Sequence, residues 1–453
     1  MTEPPVEPPR PVVGLLAAVR VFAFAYRTEL TLFFICAAVL ACFSGPRFLR
    51  QSAAPHFVYA SKAWLDGRLD VDPRDLPNLE DWACVRDHAG QKMRCEGAPQ
   101  RDDRWYVSFP SFPSVVMLPF VAVNGWQFND TSFGVLIGAA AIALFYALCR
   151  RLALLGESAR TGSEDVVLAL TLGFGTLFFS CAIRGEVWFF AEVLGVLLTV
   201  LYLLAAVRGR QPVLAGVFWS MATLTRTPLF FTALFFVLEV VCPGPLDRRG
   251  QLREVLRAPA PTLRRLGAFA LAAAPLGLLA AWYNWTRFGS PTDFGHRFLY
   301  NNRVNQDIDT HGLFSFTYLP RNLEAAFLKL PAIQLHPFHL SYDPNGLSLF
   351  LTMPFLVLLF VPRLRPRLHW PLWLTLAATA LPGFLYQNTG YMQFGFRFSL
   401  DYTPYLVLLL AVGGWSFRAR GVQLLLALGF LVNFWGALAF RGYTELVRRM
   451  GPP

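Results

Sequence analysis

Long apolar runs recur along almost the whole chain, and they restrict the protein to one broad class of fold. The stretches "VLIGAAAIALFYAL" and "LFFTALFFVLEVV" are two examples. With their flanks, most of these runs approach the ~20 residues that an α-helix needs to cross a bilayer core. Charged residues make up only 15% of the 453 residues, below the roughly 25% of a typical soluble domain. The sequence therefore predicts an all-α polytopic membrane protein.

The apolar runs define eleven predicted transmembrane helices within a single multispanning domain, residues 28–441. A Pro-rich cytoplasmic tail with an amphipathic segment, 1–27, precedes the domain, and a tail, 442–453, follows it. A twelfth apolar stretch, 113–126, is short and contains Pro119, so we expect it to form a helix along the membrane surface. The predicted spans are 28–44, 132–149, 165–182, 187–207, 212–226, 227–242, 266–284, 346–362, 369–386, 402–417 and 421–440.

Arginines cluster at the ends of apolar runs, and this position explains the net charge of +11 better than a nucleic-acid-binding patch does. Positive residues collect in the short cytoplasmic loops of membrane proteins. The rule predicts a multi-pass membrane protein with a cytoplasmic amino terminus, and the near absence of Lys beside abundant Arg favours a bacterial source and hence a bacterial inner membrane. It places three segments on the extracytoplasmic side, which are the long loops 45–131 and 285–345 and the turn 387–404.

The first of these loops holds the densest group of carboxylates in the chain. "WLDGRLDVDPRDLPNLEDWACVRD" contains six Asp and one Glu. Most of them are expected to keep the loop solvated. Asp81 differs, because it stands beside Trp82, a residue type that seeks the membrane interface, and a carboxylate there suits a general base. Asp70 and Asp66 are weaker candidates for the same role.

Charged residues also occur where predicted spans meet the extracytoplasmic side. Arg184 and Glu186 share a very short turn, where they either pair with each other or leave Arg184 to bind a phosphate. Arg397 and Asp401 are four residues apart at the start of a span, and a helix would place both on one side. They either pair or leave Arg397 to hold a phosphate.

Two further arginines reach a similar level of the membrane. Arg226 lies in the outer turn between the fifth and sixth predicted spans, and Arg297 lies in the second long loop. Together with Arg184 and Arg397 they predict a group of cations suited to a lipid phosphate.

Cys84 and Cys95 are the two cysteines well inside the large outer loops. An extracytoplasmic loop is an oxidising environment, so the pair is expected to form a disulfide. Zinc-type cysteine and histidine spacings are absent from the sequence. Clustered carboxylates could hold Mg²⁺ or Mn²⁺, but no ligand spacing requires a divalent metal.

The order of these features resembles the GT-C superfamily of integral-membrane glycosyltransferases. A first span is followed by a long acidic outer loop, an aromatic and Pro-rich segment, many spans with tight loops, and a late outer "GFRFSLDYTP". "YVSFPSFPSVVMLPF", "ATLTRTPLFF" and "YNWTRFGSPTDFGHR" are similar to segments of that family. The resemblance covers approximately residues 28–420.

The resemblance implies a transfer reaction at the extracytoplasmic side of the membrane. The donor would be a polyprenyl-phosphate-linked sugar drawn from the membrane lipids, and the acceptor a glycan, lipid or protein rather than a nucleic acid. A carboxylate of the first loop would deprotonate the acceptor hydroxyl. Arginines would offset the charge of the lipid-phosphate leaving group.

One position departs from the family pattern. The key acidic residue usually lies just after the first span, where this chain reads "SAAPHFVYASKAWLDGRLD" with Pro55 and His56. Either Asp66, Asp70 or Asp81 serves as the base, or His56 does, or the protein is not a transferase. The other hypotheses are a lipid or solute transporter or flippase, and a non-catalytic binding protein with the same fold.

Overall fold

A computed structural model describes residues 24–76, 81–88, 90–242, 248–300, 302–336 and 338–450. Most of the Pro-rich tail and Glu80 therefore lie outside the described residues. The described chain is mostly helical. In chain order its α-helices are α1 (Arg27–Ser44), α2 (His56–Leu65), α3 (Phe112–Asn124), α4 (Asp130–Leu154), α5 (Gly162–Phe174), α6 (Phe178–Ala182), α7 (Val187–Ala206), α8 (Pro212–Thr223), α9 (Ala233–Val241), α10 (Arg248–Arg257), α11 (Ala260–Phe288), α12 (Asn302–His311), α13 (Leu319–Phe327), α14 (Leu349–Thr352), α15 (Leu356–Phe360), α16 (His369–Leu385), α17 (Thr403–Val412) and α18 (Arg420–Met450).

Short strands accompany the helices, so the prediction of an all-α fold was incomplete. A three-stranded antiparallel sheet has the order β2-β1-β3 and is built from β1 (Trp82–His88), β2 (Gln91–Arg94) and β3 (Arg104–Val107). A separate antiparallel hairpin joins β4 (Ala332–Leu335) to β5 (Phe338–Ser341). Both lie in the two long loops that the sequence places outside the membrane.

Among the described residues, five helices are long and apolar enough to cross a membrane. The protein is therefore a mostly α-helical membrane protein, but the prediction of eleven spans was wrong. Three other apolar segments, Pro212–Thr223, Thr227–Val241 and Thr403–Val412, are shorter than a bilayer core requires. The membrane-length helices are Arg27–Leu49, Asp130–Leu154, Val187–Gly209, Ala260–Phe288 and Arg420–Phe440.

Local chain breaks explain why several predicted spans are not continuous helices. The segment 165–182 is interrupted at Gly175, where α5 ends before α6 begins. The segment 346–362 contains only α14 and α15, separated by Met353 and Pro354. Because Pro lacks a backbone N–H and Gly favours helix ends, such positions stop helices inside apolar sequence.

The helices α1, α4, α7, α8 and α11 pack in that order, each against the next. Within its most apolar window 89% of the residues of α7 are buried, against 11% for α11, so α7 is central and α11 peripheral. This agrees with the sequence of α7, which is apolar around its whole circumference. Gly216 lets α8 and α11 approach closely, since a Cβ there would stand 2.2 Å from the carbonyl oxygen of Phe269.

The three segments predicted to share the extracytoplasmic side meet at one end of the helices, which we call the loop face. Ala83 of β1 forms a bridge with Leu299 of the second long loop. Phe314 of that loop bridges Tyr386, next to the predicted turn 387–404. The disulfide Cys84–Cys95 fastens the first loop at the same end.

Four charged residues from predicted cytoplasmic loops or adjoining helix ends converge away from the loop face. Arg367 donates hydrogen bonds to both Glu157 and Glu239. Arg208 donates from its side chain to Glu157 and from its backbone N–H to Glu239. These contacts join helix ends that are far apart in sequence, and they give the bundle two chemically different ends.

Candidate functional site

Asp81 begins the three-stranded sheet with its carboxylate turned toward the helix bundle. Its backbone has a φ of 58°, an uncommon conformation for a residue other than glycine. The Ser108 hydroxyl donates to the Asp81 carbonyl oxygen at 2.6 Å, and Trp188 Nε1 donates to the carboxylate at 3.0 Å. Since Trp82 pairs with Val107, the sheet register brings Ser108 next to Asp81. The first long loop thus fixes the backbone of Asp81, and α7 holds its carboxylate.

Aromatic rings surround the Asp81 position. His56, the first residue of α2, is buried and stacks on Trp82 with 4.4 Å between ring centroids. The His56 ring also lies 6.3 Å from the rings of Phe109 and Trp188. The geometry therefore places the predicted alternative base, His56, beside Asp81 and behind Trp82, within an aromatic wall.

The other two candidate bases stand in different surroundings. Asp66 is exposed and forms an ion pair with Lys62. Asp70 accepts hydrogen bonds from Arg68 and Arg104 at 3.2 and 3.0 Å. Partial burial raises the pKa of Asp70, but the two guanidinium groups outweigh it and the net pKa is lowered. A carboxylate held ionised by two arginines is a poor proton acceptor.

Two of the four predicted arginines converge on one buried cluster at the loop face. Arg226 makes a bidentate pair with Asp401 at 2.8 and 2.7 Å, and lies 3.7 Å from Glu192. Arg397 donates from Nε to the other side of the cluster, to Glu192 at 3.1 Å. We call Arg226, Asp401, Glu192 and Arg397 the arginine–carboxylate cluster. Its formal charge is zero.

The cluster answers two questions that the sequence leaves open. Glu192, an acidic residue within a predicted span, has Arg397 and Arg226 as partners. Asp401 does not pair with Arg397 four residues earlier, because the segment Arg397–Asp401 is a 3-10 helix rather than an α-helix. Asp401 instead pairs with Arg226, from a distant part of the chain.

The remaining donors of Arg397 point to what the cluster can bind. Its Nη1 donates to the Gly390 carbonyl oxygen at 2.8 Å. Its Nη2 makes no hydrogen bond to any of the described residues, whereas Arg226 uses both Nε and Nη2 on Asp401. Arg226 Nη1 lies 3.7 Å from Glu192, beyond hydrogen-bond distance, so each arginine of the cluster keeps one Nη group that could donate to an anion.

Asp81 and the arginine–carboxylate cluster are joined through α7. Trp188, which holds Asp81, and Glu192, which holds Arg397, are four residues apart in the same helix. Residues with this spacing lie on one face, about 6 Å apart along the helix axis. Tyr386 lies between the two groups, close enough to Asp81, Arg226 and Arg397 for their charges to act on its hydroxyl.

Arg184 and Arg297 are placed outside the cluster. Arg184 makes a buried pair with Glu186 at 2.8 Å and stacks over Phe440. Burial raises the pKa of Glu186, but Arg184 outweighs it and the net pKa is lowered. The Arg297 side chain is 75% exposed and lies 3.8 Å from Asp293. Arg184 nevertheless shares a neighbour with Arg397, since their guanidinium carbons lie 4.9 and 5.3 Å from the centroid of the Phe189 ring.

The sequence analysis missed His296, the residue next to Arg297. Its ring lies 5.6 Å from Phe109 and 6.1 Å from Tyr386, so it faces the same region as Asp81. Burial and the charge of Arg226 lower the pKa of His296 to about 4, and the ring is neutral at pH 7. The only sequence signal was its place in "DFGHR", where the neighbouring Arg297 was predicted to bind phosphate and His296 was not considered.

Potential ligand-binding features elsewhere on the loop face are separate from Asp81. Cys84, Cys95 and Asp103 lie close together, but the two sulfurs are bonded to each other and Asp103 accepts from Arg86 at 2.7 Å. They therefore do not offer an open metal site. A cavity of about 440 Å³ lies between the first and second long loops and is lined by Arg94, Cys95, Glu96, Gly97, Asn305, Gln306, Asp309 and Thr310.

Comparison with known proteins identifies no relative. No family model, curated protein or solved structure matches the chain. Any functional conclusion depends on the geometry of the loop face.

Proposed function

We propose that the protein is a membrane glycosyltransferase of the GT-C type. It would move a sugar from a polyprenyl-phosphate donor to an acceptor hydroxyl on the extracytoplasmic side. The observation that carries this proposal is the spacing along α7, where Trp188, which holds Asp81, and Glu192, which lies against Arg226 and Arg397, stand about one helical turn apart. A base and a phosphate-binding group at that separation suit the two ends of a glycosyl transfer.

In the proposed reaction Asp81 accepts the proton of the acceptor hydroxyl. The acceptor oxygen forms a bond to the anomeric carbon as the bond from that carbon to the phosphate oxygen breaks. The lipid phosphate leaves with the bonding electrons, and the Arg397 Nη2 donor meets its developing charge. Asp70 and Asp66 are assigned no chemical step, because each is paired with a cation.

The compensating carboxylates give the arginines a fixed position. Burying a guanidinium without an acidic partner destabilises the fold. Glu192 and Asp401 offset this cost, and they hold the guanidinium groups of Arg397 and Arg226 in place. The neutral cluster would bind the leaving phosphate through hydrogen bonds from a preorganised donor rather than through net positive charge. A Mg²⁺ or Mn²⁺ ion is not assigned a role in this proposal.

The proposed topology is that of a bacterial inner-membrane protein with a cytoplasmic amino terminus. The loop face then lies outside the cell, and the four paired residues Arg367, Arg208, Glu157 and Glu239 face the cytoplasm. The arginines clustered at the ends of apolar runs, in the short loops predicted to be cytoplasmic, support this orientation. A cysteine introduced at Ser290, which is outside the membrane-length helices, should react with an impermeant maleimide in intact cells. Reaction only after cell lysis would show that the loop face lies on the cytoplasmic side.

Native mass spectrometry in mild detergent tests donor binding. The wild-type protein should retain a polyprenyl phosphate, either co-purified or added back. Arg397→Ala should lose it, and Arg297→Ala is the matched control, since it removes an exposed arginine from the same face. Equal binding by wild type and Arg397→Ala would show that the arginine–carboxylate cluster is not the phosphate site.

Turnover separates the transferase from its alternatives. Membranes containing the wild-type protein should release polyprenyl phosphate from a polyprenyl-phosphate hexose or pentose, and mass spectrometry follows the release. Asp81→Asn should bind the donor and stop the release, whereas Asp66→Asn should behave as wild type. Binding without release by wild type would identify a binding protein. Movement of the intact donor between leaflets, unchanged in Asp81→Asn, would identify a flippase.

A further inference from the structure

The hairpin of β4 and β5 exposes apolar side chains that no described part of the protein covers. All four residues of β4, Ala332–Leu335, are exposed. Ile333 and Leu335 are 62% and 69% exposed, and Leu328 and Leu330, just before the strand, are 70% and 69% exposed. Such a group of large apolar side chains marks an interaction surface rather than a solvated loop.

The two faces of the hairpin differ in chemistry. Because side chains alternate along a strand, Ile333 and Leu335 share one face and Gln334 points to the other. Leu340 lies opposite Ile333 in the antiparallel register, which extends the apolar face across the ladder. One side of a two-stranded ribbon is thus suited to an apolar surface, and the opposite side to water.

The apolar surface continues into helices of the membrane domain. The Phe327 ring lies 5.8 Å from Phe350 in α14, and Phe350 lies 6.3 Å from Phe360 in α15. Phe360 is 62% exposed at the end of α15, whose sequence LVLLF is entirely apolar. The surface next to the hairpin is therefore of the kind that faces lipid in this membrane protein.

The base of the hairpin is fastened to the loop face. Ser348 donates to the Lys329 and Phe327 carbonyl oxygens at 2.8 Å each, and Lys329 pairs with Asp343 at 3.1 Å. Just beyond the hairpin, Gln393 donates to the Asn345 carbonyl oxygen and accepts from the Arg397 backbone N–H. These contacts tie the segment that follows the hairpin, through Gln393, to the backbone of Arg397.

We propose that the apolar face of this hairpin, which includes Ile333 and Leu335, inserts into the lipid leaflet on the loop face. The open edges of a two-stranded ribbon carry unpaired backbone groups, which hydrocarbon does not satisfy. The ribbon therefore lies at the interface, with its backbone among headgroups and its apolar side chains reaching the acyl chains. The hairpin forms a lipid-bound rim next to Arg397. This inference concerns the bilayer itself and stands independently of the transferase proposal.

Spin labels along β4 test the insertion through their alternation. Cys42→Ser and Cys242→Ser provide the background, since the other free cysteines, Cys36, Cys149 and Cys181, are buried. Single cysteines replace Ile333, Leu335, Ala332 and Gln334 in turn. The labelled proteins are placed in lipid nanodiscs, and collision with oxygen and with a water-soluble nickel chelate is measured for each.

Insertion predicts a period of two. Labels at 333 and 335 should collide severalfold more with oxygen than with nickel, and those at 332 and 334 should show the reverse. Nickel accessibility at all four positions would place the hairpin in water and overturn the proposal. Exclusion of both agents from 333 and 335 would mean that another protein surface covers them, which also overturns it. Two positions are labelled on each face, so one substitution that disturbs the local structure cannot by itself produce the expected alternation.

Discussion

Trp188 Nε1 donates a hydrogen bond to the Asp81 carboxylate at 3.0 Å, across 107 residues of sequence. The contact joins the first long loop to the loop-face end of α7, the most buried of the membrane-length helices. Of the three candidate bases, Asp81 is the one held by a side chain of α7, whereas Asp66 and Asp70 pair with lysine or arginine of their own loop.

Trp188→Phe should slow donor turnover, because the Asp81 carboxylate loses the N–H that holds it. The substitution keeps an aromatic ring and removes the N–H, so the ionised carboxylate loses a hydrogen bond worth about 1.5–3 kcal/mol. Donor release, followed by mass spectrometry, should fall about tenfold or more, while donor binding in native mass spectrometry should stay at the wild-type level.

Trp219→Phe is the control for this change. Trp219 donates its indole N–H to the Phe230 carbonyl oxygen at 3.0 Å, away from the loop that carries Asp81. Its donor turnover should match the wild type. Wild-type turnover by Trp188→Phe would show that the indole N–H does not position Asp81, and loss of donor binding as well as turnover would mean that the indole only maintains the shape of the site.

Asp401→Asn should destabilise the protein strongly, because it leaves Arg226 buried with Glu192 at 3.7 Å as its remaining acidic partner. Removing one member of a buried pair costs about 3–5 kcal/mol. Thermal unfolding in detergent measures the loss. Asp72→Asn, which breaks the exposed pair with Arg74, should change stability by less than about 1 kcal/mol.

A double substitution distinguishes the effect of an unpaired buried charge from the effect of lost side-chain packing. Arg226→Met combined with Asp401→Leu replaces the pair by apolar side chains of similar size, and it should recover most of the stability lost in Asp401→Asn. Donor binding should stay reduced, since Arg397 and Glu192 lose their neighbour. A double variant as unstable as the single one would show that packing around the pair, rather than its charge, sets the stability.

The sequence revealed that charges gather at this level of the membrane but not how they pair. Arg226 and Arg397 were identified from their positions at the ends of apolar runs, a pattern that local sequence contains. Their partners are set by tertiary contacts between Arg226 and Asp401 and between Glu192 and Arg397. Composition alone shows excess positive charge, whereas the folded cluster is neutral.

The predicted spans failed for a related reason. Hydropathy measures how apolar a segment is, and it does not register a backbone break inside it. Gly175, Met353 and Pro354 divide apolar sequence into short helices that pack within the bundle. The long runs of α4 and α7 have no such break and were predicted correctly as membrane-length helices.

The disulfide should be detectable and should stabilise the sheet. Cys84 and Cys95 are buried and bonded, and they close a short loop around the β1–β2 turn. Closing a loop of this size is worth about 2–3 kcal/mol. Cys84→Ser with Cys95→Ser should therefore lower the unfolding temperature in detergent. Alkylation of the denatured wild type should modify two more cysteines after reduction than before, and equal counts would contradict the bond.

His296 should make the protein less stable in mild acid. Its pKa is about 4 in the folded state, because of burial and the charge of Arg226, against an ordinary 6.5 in the unfolded chain. Between these values the unfolded state binds the proton more readily, so stability falls as the pH drops from 6.5 toward 4. The loss between pH 7.5 and pH 5 should be on the order of 1–2 kcal/mol.

Comparing variants at the two pH values isolates this effect from the carboxylates that titrate in the same range. His296→Gln should reduce the pH 7.5 to pH 5 difference in unfolding free energy, while His311→Gln, at an exposed position, should leave it unchanged. Because the His296 ring faces Phe109 and Tyr386, the same protonation would add a positive charge beside Asp81. Donor turnover should then decline in mild acid less steeply in His296→Gln than in wild type. An unchanged slope would mean that protonation of His296 does not affect turnover.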